Sequence, residues 1–251
     1  MADAVVVMDM RTVICIKWGD RYPAEYVNRL YRGVLRNISQ PTRFVAFTDD
    51  GAGLDSGVDV RPIPAIRFPE AQLRPGPWRK LAVWSTEIGL EGDLLFLDLD
   101  VVVTGALDEL FEYEPGRLCM LRNWTQSDGT GNTSVFRFRA GSEPQLVTDF
   151  ESDPVRKSFH YDNEQIYVTR EAKTPIAYWP PPWCPSFKFD LLPRWPMNWF
   201  WQASLPADAK IVVFTGHPRP EEALRGEWPA PPLKKIYKHL IAPDWLGRNW
   251  R

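Results

Sequence analysis

The sequence predicts an α/β fold with a mostly parallel central sheet flanked by helices. Two observations lead to this prediction. Up to about residue 122, short β-rich runs alternate with segments of helical spacing, which is typical of parallel strands joined by right-handed crossovers. In addition, the run DLLFL at Asp93 to Leu97 is apolar along its length, as a central strand covered on both faces is.

The N-terminal elements follow in a regular order. Val13 to Lys17 is a short β-rich run and predicts the first strand. Ala24 to Arg36 carries apolar residues at helical spacing, and Pro23 fits the first turn of that helix. Arg43 to Thr48 predicts a second strand, which ends at the acidic turn Asp49–Gly51.

The middle of the chain continues the pattern less regularly. We expect a third strand at Val58 to Ile63 and a helix at Trp78 to Ile88. Gly116 to Leu121 and Asn132 to Phe138 predict two further strands, while Glu164 to Arg170 is compatible with a short helix or a strand.

The C-terminal third differs in composition. Residues 175–206 are rich in Pro and Trp, and Pro180 to Pro182 exclude a regular helix there. Lys210 to Phe214 predicts a last strand, and Leu233 to Ile241 a terminal helix. We therefore expect a single domain, with one half over about residues 1–122, a second over about 123–230, and a tail at 231–251.

Composition narrows the class of protein. The 251 residues are 44% hydrophobic and 25% charged, with a net charge of −2, so no overall positive field indicates nucleic acid as a partner. The three cysteines lack metal-site spacing and favour a reducing, cytoplasmic setting. The apolar run within the N-terminal segment MADAVVVMDMR is too short for a signal peptide. No apolar stretch of the sequence is long enough to span a membrane.

A pair of carboxylates is the sharpest chemical feature. In FLDLDVVV, Asp98 and Asp100 follow the most hydrophobic strand, and in extended backbone residues two apart point the same way. Ligands of open α/β sheets lie outside the carboxyl ends of the strands, and Mg²⁺ or Mn²⁺ prefers carboxylate and phosphate oxygens. The alternative is a pair of solvated turn residues, or caps of a helix near Gly105.

An ordered series of motifs resembles the GT-A glycosyltransferases. More loosely, it resembles the retaining family that includes glycogenin and bacterial lipopolysaccharide galactosyl- and glucosyltransferases. The resemblance implies a GT-A-like sheet with a Trp/Pro-rich acceptor lobe, and transfer of a hexose from a nucleotide sugar, with UDP as the expected nucleotide. The motifs span roughly residues 12–220 and are, in order, VICIKWGDRYPAEYVNRLYRGVL, RFVAFTDD, WRKLAVW, FLDLDVVVTGALDELF, GNTSVFRF, DNEQIYV and VVFTGHPRP.

The resemblance also implies roles for individual residues. The metal, Mn²⁺ or Mg²⁺, would be held by Asp98 and Asp100, with His217 as the candidate third ligand. The donor would be contacted by Trp18, Thr48 and Asp49 near the base and by Arg219 near the diphosphate. Lys80 would approach the donor phosphates or the sugar, and Asn132 would lie near the transferred sugar. The sugar would also lie near the candidate catalytic residues Asp162, Glu164 and Gln165.

The sequence departs from the family pattern at two points. The late histidine of the family stands beside the phenylalanine, whereas here Val213 and Thr215 occupy those positions and His217 follows the glycine. The segment DNEQ offers Asp162 or Glu164 where the family has one aspartate before glutamine. By residue type alone, Trp18 would also serve as a core residue, and the other candidates as turn or surface residues.

The C-terminal third adds candidates for partner contact. Within the Trp/Pro-rich stretch, Lys188 and Asp190 are the polar residues placed for donor or acceptor contact. The tail at 233–251 combines lysines and arginines with aromatic residues, which predicts contact with an anionic membrane surface and hence a lipid-linked acceptor. An ordinary solvated terminal helix is the alternative.

Two other functions compete with transfer of a sugar. A sugar nucleotidyltransferase also combines an α/β sheet with metal-bound carboxylates, but it needs a Gly-rich basic loop after the first strand, and KWGDRYP is a poor one. A carbohydrate-binding protein on a degenerate transferase fold is the non-enzymatic alternative. The intact Asp98 and Asp100 argue against it, and the displaced histidine argues for it.

Overall fold

A computed structural model describes residues 10–251 of the chain. The first nine residues, on which the prediction about a signal peptide depends, lie outside this range. The described part contains nine strands: β1 (Arg11–Lys17), β2 (Thr42–Thr48), β3 (Asp59–Arg61), β4 (Asp93–Leu97), β5 (Val101–Val103), β6 (Leu118–Arg122), β7 (Gly131–Arg139), β8 (Ile176–Tyr178) and β9 (Ile211–Val213).

Seven of these strands form the central sheet, in the order β3-β2-β1-β4-β7-β6-β8. Every neighbouring pair is parallel except the two that involve β7, which runs antiparallel to β4 and to β6. The predicted class, a mostly parallel α/β sheet, is confirmed. The strands β5 and β9 pair separately as a small antiparallel sheet.

Helices flank the sheet: α1 (Ala24–Arg36), α2 (Asp108–Glu112), α3 (Gln145–Ser152), α4 (Pro154–His160), α5 (Glu164–Glu171), α6 (Pro220–Leu224) and α7 (Asp244–Asn249). Among the described residues, 3-10 turns lie at Glu70–Gln72, Trp78–Trp84, Thr86–Ile88, Met197–Trp199 and Pro232–Ile236, and one π-helical turn at Phe187–Leu191. No helix within residues 10–251 has the length and apolar character that a membrane crossing requires.

The core has two layers, one on each face of the sheet. Side chains alternate along β1, so that Val13 and Cys15 pack into one hydrophobic cluster while Ile14 and Ile16 pack into the other. The first cluster includes the buried faces of α1, β5 and β9, and the second includes Trp84 with a group of phenylalanines. Strands covered on both faces explain why β1 and β4 are nearly continuous apolar runs.

Two predicted helices take another form. Trp78 to Ile88 folds as two consecutive 3-10 turns rather than an α-helix, and most of WRKLAVW is buried against one face of the sheet. The predicted terminal helix at Leu233 to Ile241 is wrong: a 3-10 turn covers Pro232–Ile236, and the last helix is α7. Three prolines around residue 231 and Pro243 divide this region into short turns.

The connection between the two sheets creates the site. Residues 98–100 join the carboxyl end of β4 to the start of β5. The backbone N–H of Asp98 donates to the carbonyl oxygen of Ser134 (2.8 Å), and the N–H of Phe214 donates to the carbonyl oxygen of Asp100 (3.2 Å). The carboxylate pair is thereby fixed between β7 on one side and the segment after β9 on the other.

Candidate functional site

Asp98 and Asp100 line one cavity of about 400 Å³ at the carboxyl end of β4. The expectation of extended backbone through both aspartates is wrong, because Leu99 and Asp100 lie in a turn. Leu99 belongs to the core, yet it also reaches the cavity wall. The turn nevertheless brings both carboxylates to the same space. Other lining residues are Lys17, Trp18, Arg21, Tyr22, Gly76, Pro77 and Lys80.

Lys80 is the buried cation of the site. Its Nζ lies 2.8 Å from Oδ1 and 3.0 Å from Oδ2 of Asp98, and 3.3 Å from Oγ1 of Thr133. Burial alone would lower the pKa of Lys80, but the carboxylates of Asp98 and Glu164 outweigh it and raise the pKa above its ordinary value. Lys80 therefore carries a fixed positive charge next to the carboxylate pair.

Asp100 is held by Tyr22, whose hydroxyl donates to Oδ2 of Asp100 (2.8 Å). Burial, together with the negative charge of Asp98, raises the pKa of Asp100 to about 6. The guanidinium of Arg219 lies over the Tyr22 ring, 5.4 Å from its centroid, but Arg219 itself does not line this cavity. Two crowded carboxylates of this kind favour a cation or a proton between them.

A second, smaller cavity of about 210 Å³ adjoins the first and shares Pro77, Lys80 and Asp98 with it. Glu164 in its wall is 1% exposed and accepts a hydrogen bond from Oγ1 of Thr133 (2.9 Å). Its Oε1 is buried without a hydrogen-bond partner in the described structure. Burial raises the pKa of Glu164 to about 7, so its carboxyl group is partly protonated near neutral pH.

Asn132 and Gln165 belong to the same region. Nδ2 of Asn132 donates to Oε1 of Gln165 (3.0 Å), which links β7 to the first turn of α5. Asn163 caps that helix, since its side chain accepts a hydrogen bond from the N–H of Ile166. The structure thus brings Glu164 and Gln165 into the wall of the cavity that Lys80 lines, and Asn132 contacts Gln165. Their predicted contact with the transferred sugar stays a prediction.

Asp162 lies on the surface instead and lines neither of the two cavities. Its side chain is 65% exposed and pairs with Arg74, with 2.5 Å between Oδ1 and Nη1. Of the two acidic residues in DNEQ, Glu164 is therefore the one that the structure brings to Lys80 and the cavity.

The ends of β1 and β2 meet beside the first cavity. Trp18 lines this cavity and also a neighbouring cleft of about 350 Å³ formed with the segment 68–79. The Asp49 carboxylate accepts a hydrogen bond from the N–H of Gly19 (3.0 Å), and Oγ1 of Thr48 donates to the carbonyl oxygen of Asp50 (2.9 Å). Asp49 thus holds the turn that follows Trp18, while Thr48 holds the turn at the end of β2.

His217 and Lys188 stand further from the carboxylate pair. Nδ1 of His217 lies 2.8 Å from Oε2 of Glu222, and neither His217 nor Lys188 lines either of the two cavities. Nζ of Lys188 donates to the carbonyl oxygen of Thr215 (3.0 Å), so it supports the loop that carries His217. Within residues 10–251, no three side chains of metal-binding type are grouped to hold an ion.

Several lining residues escaped prediction, among them Lys17, Arg21, Tyr22 and Thr133. The first three belong to KWGDRY, which begins with the last residue of β1, and the position of that segment at the carboxyl end of a strand was an available signal. Thr133 gave no signal, because its role depends on the contact between β7 and α5.

With this geometry in place, the architecture can be assigned to the GT-A glycosyltransferase fold. The chain is similar to the galactosyltransferase LgtC, whose structure was solved with donor and acceptor sugar analogues: 15% identity, a TM-score of 0.56, 83% of this chain and 88% of LgtC. At this identity the likeness establishes the fold. The sequence itself matches no protein-family model and no curated protein.

Two larger glycosyltransferases show the same fold. GlyE of Streptococcus pneumoniae TIGR4 is 15% identical with a TM-score of 0.60, and the bifunctional WbbM is 12% identical with a TM-score of 0.54. The matches cover 84% and 87% of this chain, but only 56% of GlyE and 48% of WbbM. The chain therefore corresponds to about half of each of these proteins.

Proposed function

We propose that this chain is a metal-dependent glycosyltransferase that moves a hexose from a nucleotide-sugar donor, UDP-hexose, to a hydroxyl of a glycan or lipid-linked acceptor. The observation that supports this most directly is the buried Lys80–Asp98 pair beside Asp100, at the carboxyl end of β4 in a GT-A fold. Retention of the anomeric configuration is part of the proposal through the family resemblance alone.

The donor set fits a hard divalent cation. Mg²⁺ and Mn²⁺ bind through one or two carboxylates together with substrate phosphates and water, so a site need not contain three protein ligands before the donor arrives. In this proposal Asp98 and Asp100 would hold Mn²⁺ or Mg²⁺, and the bound ion would supply positive charge to neutralise the departing diphosphate. His217 would be a third ligand through Nε2, because Nδ1 already contacts Glu222.

The cationic side chains of the cavity complete the diphosphate site. Lys17, Arg21 and Lys80 line the same space as the carboxylates, and Arg219 lies over the ring of Tyr22, another lining residue. Diphosphate oxygens would accept hydrogen bonds from Arg21 and Arg219, and such bonds are stronger when both partners are charged. Trp18, next to the turn that Asp49 holds through Gly19, would provide an apolar wall for the base.

The adjoining cavity is the proposed place of the hexose. Asn132 and Gln165 present amide groups that can donate to and accept from sugar hydroxyls. Glu164, protonated in part near neutral pH, could donate or accept through Oε1, the oxygen without a partner. As the bond from the anomeric carbon to the diphosphate breaks, its electron pair would stay with the diphosphate oxygen. The acceptor oxygen would bond to that carbon, and its proton would pass to solvent.

The three cysteines support the proposed cytoplasmic setting. Cys15, Cys119 and Cys184 are all free and buried in the structure. Burial raises the pKa of each thiol, which keeps all three unreactive.

A thermal-shift panel tests the proposal. The wild-type chain would be heated with UDP, GDP, CMP, ATP, CTP and sugar conjugates of these nucleotides, each with Mn²⁺ or with a chelator. A ligand of the folded state raises apparent stability by about 2.7 kcal/mol at a hundredfold excess over its dissociation constant. We expect stabilisation by UDP and UDP-hexose only with Mn²⁺, and its loss in Asp98→Asn and Asp100→Asn. The exposed Asp208 provides the matched control, Asp208→Asn.

Other results would support the competing functions. Stabilisation by ATP or CTP, but not by a diphosphate, would indicate a nucleotidyltransferase. Sugar binding that Asp98→Asn leaves unchanged, with no response to any nucleotide, would indicate a carbohydrate-binding protein.

A further inference from the structure

Two segments of the C-terminal third, residues 194–201 and 231–241, contact each other. Nδ2 of the buried Asn198 donates to the carbonyl oxygens of Tyr237 (2.9 Å) and His239 (2.8 Å). Nε1 of Trp199 donates to the carbonyl oxygen of Ile236 (2.8 Å), and the Trp199 ring stacks on His239 with centroids 3.8 Å apart. We call the outer face of residues 194–201 and 231–241 the aromatic–lysine surface.

This surface holds most of the exposed apolar side chains of the described chain. Nine of the fourteen large hydrophobic residues exposed within residues 10–251 belong to it, although it comprises only two short segments. Phe200 is 70% exposed, Trp201 62% and Leu233 84%. The other six are Trp195, Met197, Trp199, Ile236, Tyr237 and Ile241. Contiguous apolar exposure of this kind marks an interaction site rather than ordinary surface.

The charge of the same surface has one sign. Its segments contain Arg194, Lys234, Lys235 and Lys238 and no aspartate or glutamate, although the whole chain has a net charge of −2. Lys235, Lys238 and His239 also line a cavity of about 440 Å³, whose walls include Trp199, Trp228 and one acidic residue, Glu227. This cavity could admit a small anionic group between the lysines.

We propose that the aromatic–lysine surface binds an anionic lipid bilayer. The exposed aromatic and aliphatic side chains would enter the interface, while the lysines and Arg194 would contact anionic headgroups. A symmetric dimer through this face would set its lysines against those of a second copy, so the charge favours lipid over self-association. The earlier prediction placed this contact at 233–251, but Trp245 and Trp250 are each only 6% exposed and pack in the core.

Binding to a bilayer needs no sugar donor, so its failure would be distinct from failure of the proposed transferase activity.

Vesicle co-sedimentation tests the proposal. The full chain would be mixed with vesicles of phosphatidylcholine alone, or of phosphatidylcholine with phosphatidylglycerol, at low and high salt. We expect strong, salt-sensitive binding to the anionic vesicles. The pair Lys234→Gln and Lys235→Gln should weaken it about fivefold for each charge removed. The pair Phe200→Ala and Trp201→Ala should weaken it about tenfold or more.

Matched controls lie elsewhere on the chain. Phe159 is 61% exposed on α4, and Lys173 is exposed after α5, so Phe159→Ala and Lys173→Gln should bind vesicles as the wild type does. The mutated side chains are exposed, and unchanged thermal unfolding would show that each variant is folded. Equal binding by wild type and the surface variants would overturn the proposal. So would absence of vesicle binding with self-association that Phe200→Ala and Trp201→Ala abolish.

Discussion

Replacing Lys80 with methionine tests the electrostatic balance of the candidate site. Methionine keeps most of the buried volume of the side chain but removes the charge that lies 2.8 Å from Asp98. Removing one partner of a buried ion pair costs 3–5 kcal/mol of unfolding free energy. Because the Asp98 side chain is 26% exposed, we expect the lower end, about 3 kcal/mol near pH 8.

The loss of unfolding free energy in Lys80→Met should also depend on pH, and the direction of this dependence follows from the neighbouring acids. Burial raises the pKa of Asp100 and of Glu164 above their ordinary values, and the charge of Lys80 opposes both increases. Stability from an acid with a raised pKa is present at low pH and is lost as the pH rises through the folded-state pKa. Lys80→Met should therefore be destabilised more near pH 8 than near pH 5.

Denaturant unfolding with a chelator present measures both values. Lys173→Met, at an exposed position, is the control for loss of a lysine. Addition of Mn²⁺ should restore part of the stability of Lys80→Met, since a cation would replace the missing charge. A loss below about 0.5 kcal/mol near pH 8, as expected of a surface substitution, would refute the reasoning.

Three further predictions concern single side chains. From about pH 5 to about pH 8, the free energy of unfolding of Glu164→Gln should rise by about 2 to 3 kcal/mol relative to that of wild type. The reason is that the wild-type carboxyl, with its pKa raised to about 7, must ionise in the folded state as the pH rises, whereas glutamine does not. Denaturant titrations of both proteins at the two pH values measure this change. Tyr22→Phe removes the hydrogen bond to Asp100 and should weaken Mn²⁺-dependent UDP binding about tenfold by calorimetry, whereas Tyr26→Phe should not. Asp162→Asn breaks only an exposed ion pair and should change the free energy of unfolding by less than about 1 kcal/mol.

Much of the fold followed from local pattern. Strands buried on both faces, such as β1 and β4, are unmistakable apolar runs, and α1 has a clear apolar stripe. The 3-10 turns at Trp78–Trp84 and Pro232–Ile236 were harder to predict from the sequence. Their conformation depends on flanking prolines and on tertiary packing rather than on the spacing of apolar residues.

The candidate site was predictable where its residues stand at strand ends. Asp98 and Asp100 could be recognised because they follow the apolar strand β4. Lys80, Asn132 and Glu164 were predicted as site residues from the ordered motifs. The sequence did not show which of Asp162 and Glu164 lines the cavity. Only the fold shows that Glu164 is buried there while Asp162, on the other side of Asn163 in the chain, is exposed. Nor did it show that the aromatic side chains at 195–201 meet those at 233–241, since that contact joins segments far apart in the chain.

The most direct test of the central claim is release of UDP from UDP-hexose. UDP-glucose and UDP-galactose would each be incubated with the chain and Mn²⁺, with glycan acceptors or water as the receiving hydroxyl, and free UDP would be measured. We predict UDP release by the wild type and by Asp208→Asn that a chelator stops, and none by Asp98→Asn or Asp100→Asn. Release that persists at the wild-type rate in both Asp98→Asn and Asp100→Asn would contradict the account.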